Sequence, residues 1–236
     1  TETEFKAFCK TVKSHATVIR RIGRKHGLDK RIDDPLSIHF GYGREFSGHV
    51  FPSLHEQKRW SSHNCNELHK TNGFIFTEDE CQMMIDEAEA VADALGWTTK
   101  RHGNYPTTDL PIAELPNTLK FLRRAVEERI YPLLREQFKT YLPDGRKLRV
   151  ADGFVVKYDA EGGQSELKPH RDGSVLSFNI ALNPSNEFEG GGTWFESLGE
   201  SVKIEQGEVC SHASGIMHGG HGITRGKRYI MVCFVI

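Results

Sequence analysis

The chain has almost no net charge and no long apolar run. Its 31 basic and 32 acidic side chains leave a formal net charge of −1 at pH 7, so no overall field draws it to nucleic acid or to an anionic membrane. No apolar stretch approaches the roughly 20 residues that a membrane-spanning helix needs. We therefore expect neither a nucleic-acid partner nor a membrane partner, and the oligomeric state stays open.

Cysteine is scarce, and an N-glycosylation sequon is absent. The five cysteines are Cys9, Cys65, Cys81, Cys210 and Cys233. Their odd number and the lack of C-x-x-C spacing argue against a full disulfide framework. We therefore expect an intracellular, soluble protein. The chain begins at Thr1 rather than Met, so we expect trimming at the N-terminus, and the lack of a signal peptide carries little weight.

The first seventy or so residues differ in pattern from the rest of the chain. Apolar residues between Phe5 and Ile19 fall near helical spacing, and the basic run Arg20–His26 favours a solvated helix face over a nucleic-acid site. A second metal site is a less favoured interpretation of the scattered residues His39, His49, His55, His63 and His69. We expect residues 1–72 to form an N-terminal extension, packed on the core or acting as a lid, and residues 73–236 to form the main domain.

Two helices are predicted before the β-rich half. The first runs from Thr77 to Leu95, because Thr77 and Glu80 form a capping box and Gly96 is placed to end it. The second runs from Leu119 to Phe138, with a kink expected at Pro132.

From Val150 onwards the sequence predicts about seven or eight short strands. Apolar and β-branched runs alternate with turn signals, which is typical of a jelly roll. Gly190–Gly192 is expected to be turn geometry, since no phosphate-binding Lys-Ser/Thr follows it. The fold class is therefore mainly β with flanking helices. The predicted strands are Gly153–Tyr158, His170–Asp172, Ser174–Leu182, Thr193–Phe195, Ser201–Ile204, Glu208–His212 and Arg228–Ile236.

His170, Asp172 and His218 form a candidate metal-binding set. Residues i and i+2 of a strand point to the same side, so His170 and Asp172 are expected to reach one ion from a single extended segment. Two imidazoles and one carboxylate suit Fe(II) and leave about three of six coordination positions open. Alone, H-x-D is a short motif, and a surface turn with a satisfied histidine is the ordinary alternative.

A basic residue near the last strand strengthens the metal prediction. The open positions of such an iron site leave room for oxygen and a co-substrate, which predicts an iron(II)-dependent oxygenase. Its co-substrate is usually 2-oxoglutarate, whose far carboxylate requires a cation deep in the pocket. Arginine grips a carboxylate through two hydrogen bonds. Arg228 is favoured, because eight apolar residues follow it, while Arg225 and Lys227 flank Gly226 in an expected turn. Alternation does not exclude Lys227.

The carboxyl half resembles the Fe(II)/2-oxoglutarate dioxygenases of the prolyl and lysyl hydroxylase group. The likeness is strongest to the catalytic domain of procollagen lysyl hydroxylases and covers residues from about Gly96 to Ile236. The segments that carry it are FVVKYDAEGGQSELKPHRDGSVLSFNIALN, EFEGGGTWF and HGGHGITRGKRYIMVCFV, with a weaker match in GWTTKRHGNYPTTDLPI.

This resemblance implies a double-stranded β-helix and a role for each matching residue. His170, Asp172 and His218 would bind iron, and Arg228, ten residues after the second histidine, would bind the 5-carboxylate of 2-oxoglutarate. That spacing also selects His218 over His212 and His221. Tyr158 and Asn179 would line the co-substrate pocket. The implied cofactors are Fe(II), 2-oxoglutarate and O2, with ascorbate as a further reductant.

The predicted activity is that of an oxidoreductase, a hydroxylase acting on an amino-acid-type substrate. Peptidyl lysine or proline, a free amino acid and an amine metabolite are the substrate candidates. Desaturation or ring closure would use the same chemistry. A zinc hydrolase or isomerase on a cupin-like barrel and a non-catalytic binding module are the alternatives. The hydrolase or isomerase has no use for an arginine buried on the last strand. A binding module with a relic site would usually have lost a metal ligand, and here all three are present.

Overall fold

A computed structural model describes residues 65–99, 101–102, 105–142, 145 and 147–236. The predicted N-terminal helix, the basic run and the histidines at 39, 49, 55 and 63 lie outside the described residues. None of the described helices is long and apolar enough to cross a membrane. Of the segment 1–72, the described part includes one strand that joins the main sheet.

Three helices precede most of the sheet structure. They are α1 (Glu78–Leu95), α2 (Pro116–Ala125) and α3 (Tyr131–Gln137). A π-helical turn, Val126–Ile130, joins α2 to α3, and short 3₁₀ turns cover Ile112–Glu114 and Ser185–Glu187.

The described residues form eleven strands. Six of them are β1 (Leu68–Lys70), β2 (Asp109–Pro111), β3 (Val150–Asp159), β4 (Leu167–His170), β5 (Leu176–Ala181) and β6 (Phe188–Gly190). The remaining five are β7 (Thr193–Phe195), β8 (Glu200–Val202), β9 (Val209–Ala213), β10 (His218–Gly220) and β11 (Ile223–Val235).

These strands build two antiparallel sheets. The larger sheet has the order β1-β9-β5-β11-β3-β2, with β6 paired to the start of β11, and the smaller one has the order β4-β10-β7-β8. Neighbours in the sheets are often distant in sequence, as in a jelly roll. The predicted fold class, a double-stranded β-helix with flanking helices, is confirmed.

The larger sheet separates two apolar regions. Outward residues of β5 and β11, such as Phe178, Ile180 and Met231, pack with the helices in the main core. Inward residues such as Phe154, Val156 and Ile230 form a second cluster on the opposite face. Because strand side chains alternate between faces, Arg228 and Asn179 belong to the inward set.

Helix α1 confirms the capping prediction. The Thr77 hydroxyl accepts a hydrogen bond from the Glu80 amide, and the Glu80 carboxylate accepts one from the Thr77 amide. Gly96, with φ of 73°, follows the last helical residue. Such a cap contributes about 1 kcal/mol to helix stability.

The second predicted helix begins three residues earlier than expected and is interrupted. Pro132 lacks the backbone N–H that an α-helix would use, and a π-helical turn precedes it. In that turn the Tyr131 amide donates to the Val126 carbonyl. The expected kink is therefore a π turn just before the proline.

Two strand predictions need correction. β4 ends at His170, so Asp172 lies beyond the strand, where its amide donates to the Ser214 carbonyl. β11 begins at Ile223, so Gly226 is not in a connecting turn but within the strand, where its φ is +74°. The pairing of β11 with β6 shifts in register between Ile223 and Arg225, which an irregular strand accommodates.

An ion pair between α1 and the π turn should make stability depend on pH. Both terminal guanidinium nitrogens of Arg129 donate to the Glu80 carboxylate at 2.7 Å, and these bonds lower the pKa of Glu80. A lowered pKa stabilises the fold above the unfolded-state pKa, and the contribution disappears as pH falls through the folded-state value. We expect Glu80→Gln to cost about 1 kcal/mol of unfolding free energy at pH 7.

That cost should vanish under strongly acidic conditions, as urea unfolding at a series of pH values would measure. Glu78→Gln, at the start of the same helix, is the matched control. A cost for Glu80→Gln that stays constant with pH would contradict the assignment of the ion pair.

Candidate active site

His170, Asp172 and His218 converge from two segments of the chain. His170 ends β4, Asp172 follows it, and His218 opens β10, where it pairs directly with His170. The Nε2 atoms of both histidines lie 3.5 Å from the Asp172 carboxylate, and one ligand atom from each residue lies within 4.8 Å of the others. Among the described residues no other group of His, Cys, Asp and Glu meets this spacing.

Hydrogen bonds on the far side of each ring set the orientation of the two histidines. His170 Nδ1 lies 2.9 Å from the Lys168 carbonyl, and His218 Nδ1 lies 2.9 Å from the Ile216 carbonyl. A carbonyl only accepts, so each Nδ1 carries the proton and each Nε2 presents a lone pair to the centre. This arrangement is the usual one for a metal-binding histidine. The residues present therefore fit a divalent metal ion.

The electrostatics of the cluster also suit a cation. Burial alone would raise the pKa of Asp172, but the charge of His218 and the hydrogen bond from His170 hold it well below its usual range. The Ser177 hydroxyl donates to Asp172 at 2.5 Å and fixes the carboxylate further. Burial lowers the pKa of His218. A metal ion at this centre would supply the positive charge that protonated imidazoles otherwise supply to Asp172, and it requires an anionic Asp172 beside neutral histidines.

Arg228 is the buried member of the three candidate cations. It is 4% exposed, whereas the side chains of Lys227 and Arg225 are 51% and 65% exposed and lie near Asp159 and Glu189, respectively. The Arg228 guanidinium lies 5.3 Å from the centre of the Tyr158 ring and donates to the Gly192 carbonyl. In the described part of the chain its electrostatic partners are Tyr158 and Cys210, and no carboxylate pairs with it.

Room for a ligand exists beside this guanidinium. A cavity of ≈ 320 Å³ reaches Arg228. Besides that guanidinium it is lined by two carboxylates, one lysine and small or apolar residues: Glu189, Glu205, Lys203, Ser185, Phe188, Gly190, Gly192 and Ile204. A Cβ added at Gly191 would lie 3.2 Å from the Arg228 side chain and 2.9 Å from Phe188. The three glycines, all with positive φ, therefore form the predicted turn and also leave the space around Arg228 open.

Comparison with known proteins identifies the domain. No family model matches the chain. Procollagen-lysine,2-oxoglutarate 5-dioxygenase 2 of Homo sapiens is 33% identical over 177 residues, which is 68% of this chain and 22% of that protein. The procollagen lysyl hydroxylase and glycosyltransferase of Acanthamoeba polyphaga mimivirus is 36% identical over 138 residues, 56% of this chain and 14% of that protein. This is a dioxygenase domain of the Fe(II)/2-oxoglutarate type.

The chain spans about a fifth of the length of the curated relatives that it matches. Among solved structures, the viral collagen prolyl hydroxylase of Paramecium bursaria Chlorella virus-1, in its 2-oxoglutarate complex, has a TM-score of 0.53 at 15% identity. The match covers 72% of this chain and 95% of that one. At such low identity the likeness shows the fold alone. The predicted resemblance to lysyl hydroxylases is confirmed.

Tyr158 and Asn179 face the interior of the dioxygenase barrel, as expected. Tyr158 is 2% exposed and pairs with Arg228 across β3 and β11. Asn179 is 6% exposed, and its amide nitrogen lies 3.4 Å from the Thr193 hydroxyl. Both side chains therefore lie in the barrel interior, on the same side of the larger sheet as Arg228. Their part in binding the co-substrate stays a prediction.

Sequence reasoning missed a buried ionic network under the loop before β2 of the dioxygenase domain. Arg101 pairs with Asp109 at 3.2 Å and with Asp152 at 3.0 Å, and Thr98 and Thr107 donate to Asp109. Burial alone would raise the pKa of Asp109, but His102 and Arg101 outweigh it and lower the pKa. An aspartate inside the apolar run VADGFVV was the signal for a buried partner.

The same loop places Tyr105 beside the candidate metal-binding group, which consists of His170, Asp172 and His218. The Tyr105 ring centroid is 5.0 Å from that of His170, and Tyr105 is 41% exposed. Gln164 ties this loop to the segment before β4, because its side chain accepts from the Thr108 amide and donates to the Pro106 carbonyl. The exposed ring of Tyr105 therefore lies against His170 at the edge of the candidate site.

Proposed function

We propose that His170, Asp172 and His218 bind Fe(II) and that Arg228 binds the far carboxylate of 2-oxoglutarate. Two observations carry this proposal. Three metal-competent ligand atoms converge in one barrel, and the same barrel buries a guanidinium that has no carboxylate partner among the described residues. A zinc hydrolase on the same scaffold would have no use for that guanidinium. Iron and 2-oxoglutarate together supply the activation of O2 and the oxidation of a C–H bond, releasing succinate and CO2.

The protein's part is to bind, orient and keep the site dry. Lys168 and Ile216 carbonyls hold the imidazoles, and Ser177 holds the carboxylate. Burial lowers the pKa of Arg228, because the charged guanidinium is removed from water. An incoming carboxylate would pair with this charge, and their electrostatic attraction is stronger in the buried site than it would be in water. Phe195, fully buried, lies against the His218 ring and limits water at that side.

We propose an amino-acid-type substrate, with peptidyl lysine as the first candidate. The named relatives are procollagen-lysine dioxygenases and a lysyl hydroxylase, and this supports a lysyl side chain. Peptidyl proline, free amino acids and amine metabolites are the other classes to test. Which C–H bond is oxidised is set by the position in which the protein holds the substrate.

Succinate release would test the proposed function. Iron-loaded enzyme is incubated with 2-oxoglutarate, ascorbate and panels of lysyl peptides, prolyl peptides and free amino acids. Succinate is quantified, and the masses of the products are determined by mass spectrometry. We expect substrate-stimulated succinate and a product heavier by one oxygen. A product lighter by two hydrogens would show desaturation or ring closure instead. No stimulation by any panel would refute an amino-acid-type substrate.

Tyr105 should contribute to substrate binding without affecting the co-substrate. We expect Tyr105→Ala to raise KM for the accepted peptide by about three- to tenfold, because a large aromatic contact surface is lost. Tyr105→Phe should stay close to wild type, and KM for 2-oxoglutarate should not change. Phe74→Ala, which removes another exposed ring, is the control. Equal KM values for wild type and Tyr105→Ala would contradict a substrate contact.

A further inference from the structure

His212 is a third histidine inside the barrel that the metal-binding group does not use. It lies on β9 with its side chain fully buried. Its ring centroid is 4.2 Å from that of His218 and 5.3 Å from that of Phe195. Among the described residues the ligand atoms that could share an ion do not include one from His212. The imidazole therefore lies next to the proposed ligands without being one of them.

The strand pairing shows that His212 faces the interior. It pairs directly with Ser177 of β5, whose hydroxyl donates to Asp172. Its neighbour Ser211 points the other way and donates to Gln137 on α3. Side chains two apart share a face, so His212 shares the inward face with Cys210, which pairs with Asn179. His212 thus lies on the inward face of the larger sheet, beside His218.

The hydrogen bonds of His212 leave one nitrogen without a partner. Nδ1 lies 3.1 Å from the Ala213 carbonyl, so Nδ1 carries the proton. Nε2 is on the opposite side of the ring, turned away from the β9 backbone. It is buried and makes no hydrogen bond in the described structure. A neutral ring with a bare lone pair at Nε2 fits this arrangement, since an imidazolium there would be an unpaired buried charge.

A buried acceptor of this kind needs a hydrogen-bond donor, and the described residues supply none. The co-substrate cannot supply one either, because its two carboxylates and its oxo group only accept. The two negative charges of 2-oxoglutarate and the one of Asp172 together balance the positive charges of a divalent metal ion and Arg228. No imidazole therefore needs to be charged. With the described residues and 2-oxoglutarate excluded, the donor to His212 Nε2 is a water molecule, which has O–H groups to donate.

We infer that His212 is a binding residue of this site, whose Nε2 accepts a hydrogen bond from a water molecule at the metal's remaining coordination position. Three positions are proposed for the protein and two for the chelating 2-oxo acid, which leaves one of about six for water. The inference rests on the proposed function. His212 holds that water in place while no substrate is bound.

Water-proton relaxation with Mn²⁺ in place of iron tests this directly. Mn²⁺ and 2-oxoglutarate are titrated into the wild-type protein, His212→Phe and His212→Gln, and the relaxation due to metal-bound water is measured. His212→Phe keeps the ring volume and removes the acceptor, so we expect that contribution to fall by about twofold or more. Glutamine restores an acceptor near the place of Nε2, so His212→Gln should recover most of it.

Two controls separate the possible failures. His221→Phe, an exposed imidazole whose Nδ1 contacts Ser201, should match the wild type. Should the phenylalanine variant not fold, His212→Leu carries the same test. An unchanged bound-water contribution in a variant that binds both Mn²⁺ and 2-oxoglutarate would overturn the inference. Loss of Mn²⁺ binding would also overturn it, since His212 would then be a ligand. If the wild-type protein fails to bind Mn²⁺ and 2-oxoglutarate, the proposed function itself fails.

Discussion

Asp172→Ala is expected to abolish succinate formation while the protein stays folded. Asp172 supplies the single negative charge of the metal-binding group, and the two neutral imidazoles alone would hold a divalent ion far more weakly. We expect a loss of about a thousandfold or more in turnover. Anaerobic equilibrium dialysis with Fe(II) should show weakened metal binding, and circular dichroism should show an unchanged fold.

The matched control for this variant is Asp159→Ala. Asp159 is also an aspartate near the barrel, but it lies 3.8 Å from Lys227 and outside the metal-binding group. It should retain turnover and metal binding. If Asp172→Ala consumed 2-oxoglutarate at the wild-type rate, the metal assignment would be wrong.

Arg228→Ala is expected to raise the 2-oxoglutarate requirement sharply while sparing the metal. Truncating one partner of a buried, hydrogen-bonded charge pair costs about 2–5 kcal/mol, which corresponds to roughly thirtyfold to a few thousandfold in affinity. Binding of 2-oxoglutarate to the metal-loaded protein, measured by calorimetry without O2, would give this number. Fe(II) affinity should stay within about threefold of wild type, because the guanidinium is not in the metal-binding group.

Arg225→Met and Lys227→Met are the controls for this effect, and both should bind 2-oxoglutarate normally. Arg228→Ala should also leave the metal-free protein at least as stable as wild type, since it removes a buried charge that has no carboxylate partner. An unchanged 2-oxoglutarate affinity in Arg228→Ala, with a loss in Lys227→Met, would move the role to Lys227.

Local signals in the sequence predicted the parts of the fold that depend on local chemistry. The α1 boundaries follow from Thr77, Glu80 and Gly96, which act within one turn of the chain, and these were correct. The interruption of the helix at Pro132 was also predicted from a local signal, although it takes the form of a π turn rather than a simple kink. The three-residue strands β1, β2, β6 and β10 were not predicted, because a segment that short usually becomes a strand only through its partners. The three-residue β7 was predicted at Thr193–Phe195.

The candidate site, too, has parts that the sequence predicted and parts that only the structure shows. The sequence brought His170, Asp172 and His218 together correctly, but it placed Asp172 inside a strand that ends at His170. Burial then distinguished Arg228 from Lys227, a choice that alternation had left open. The unsatisfied nitrogen of His212 and the pairing of Arg101 with Asp152 were not visible. Each depends on contacts between segments far apart in sequence, and no local spacing encodes them.

A crystal structure of the protein grown without O2, with Fe(II) and 2-oxoglutarate, would test the central claim most directly. We predict one metal ion bound by Nε2 of His170, the carboxylate of Asp172 and Nε2 of His218, with the far carboxylate of 2-oxoglutarate paired to Arg228. An ion bound elsewhere, or a far carboxylate held by Lys227 with Arg228 unengaged, would contradict it.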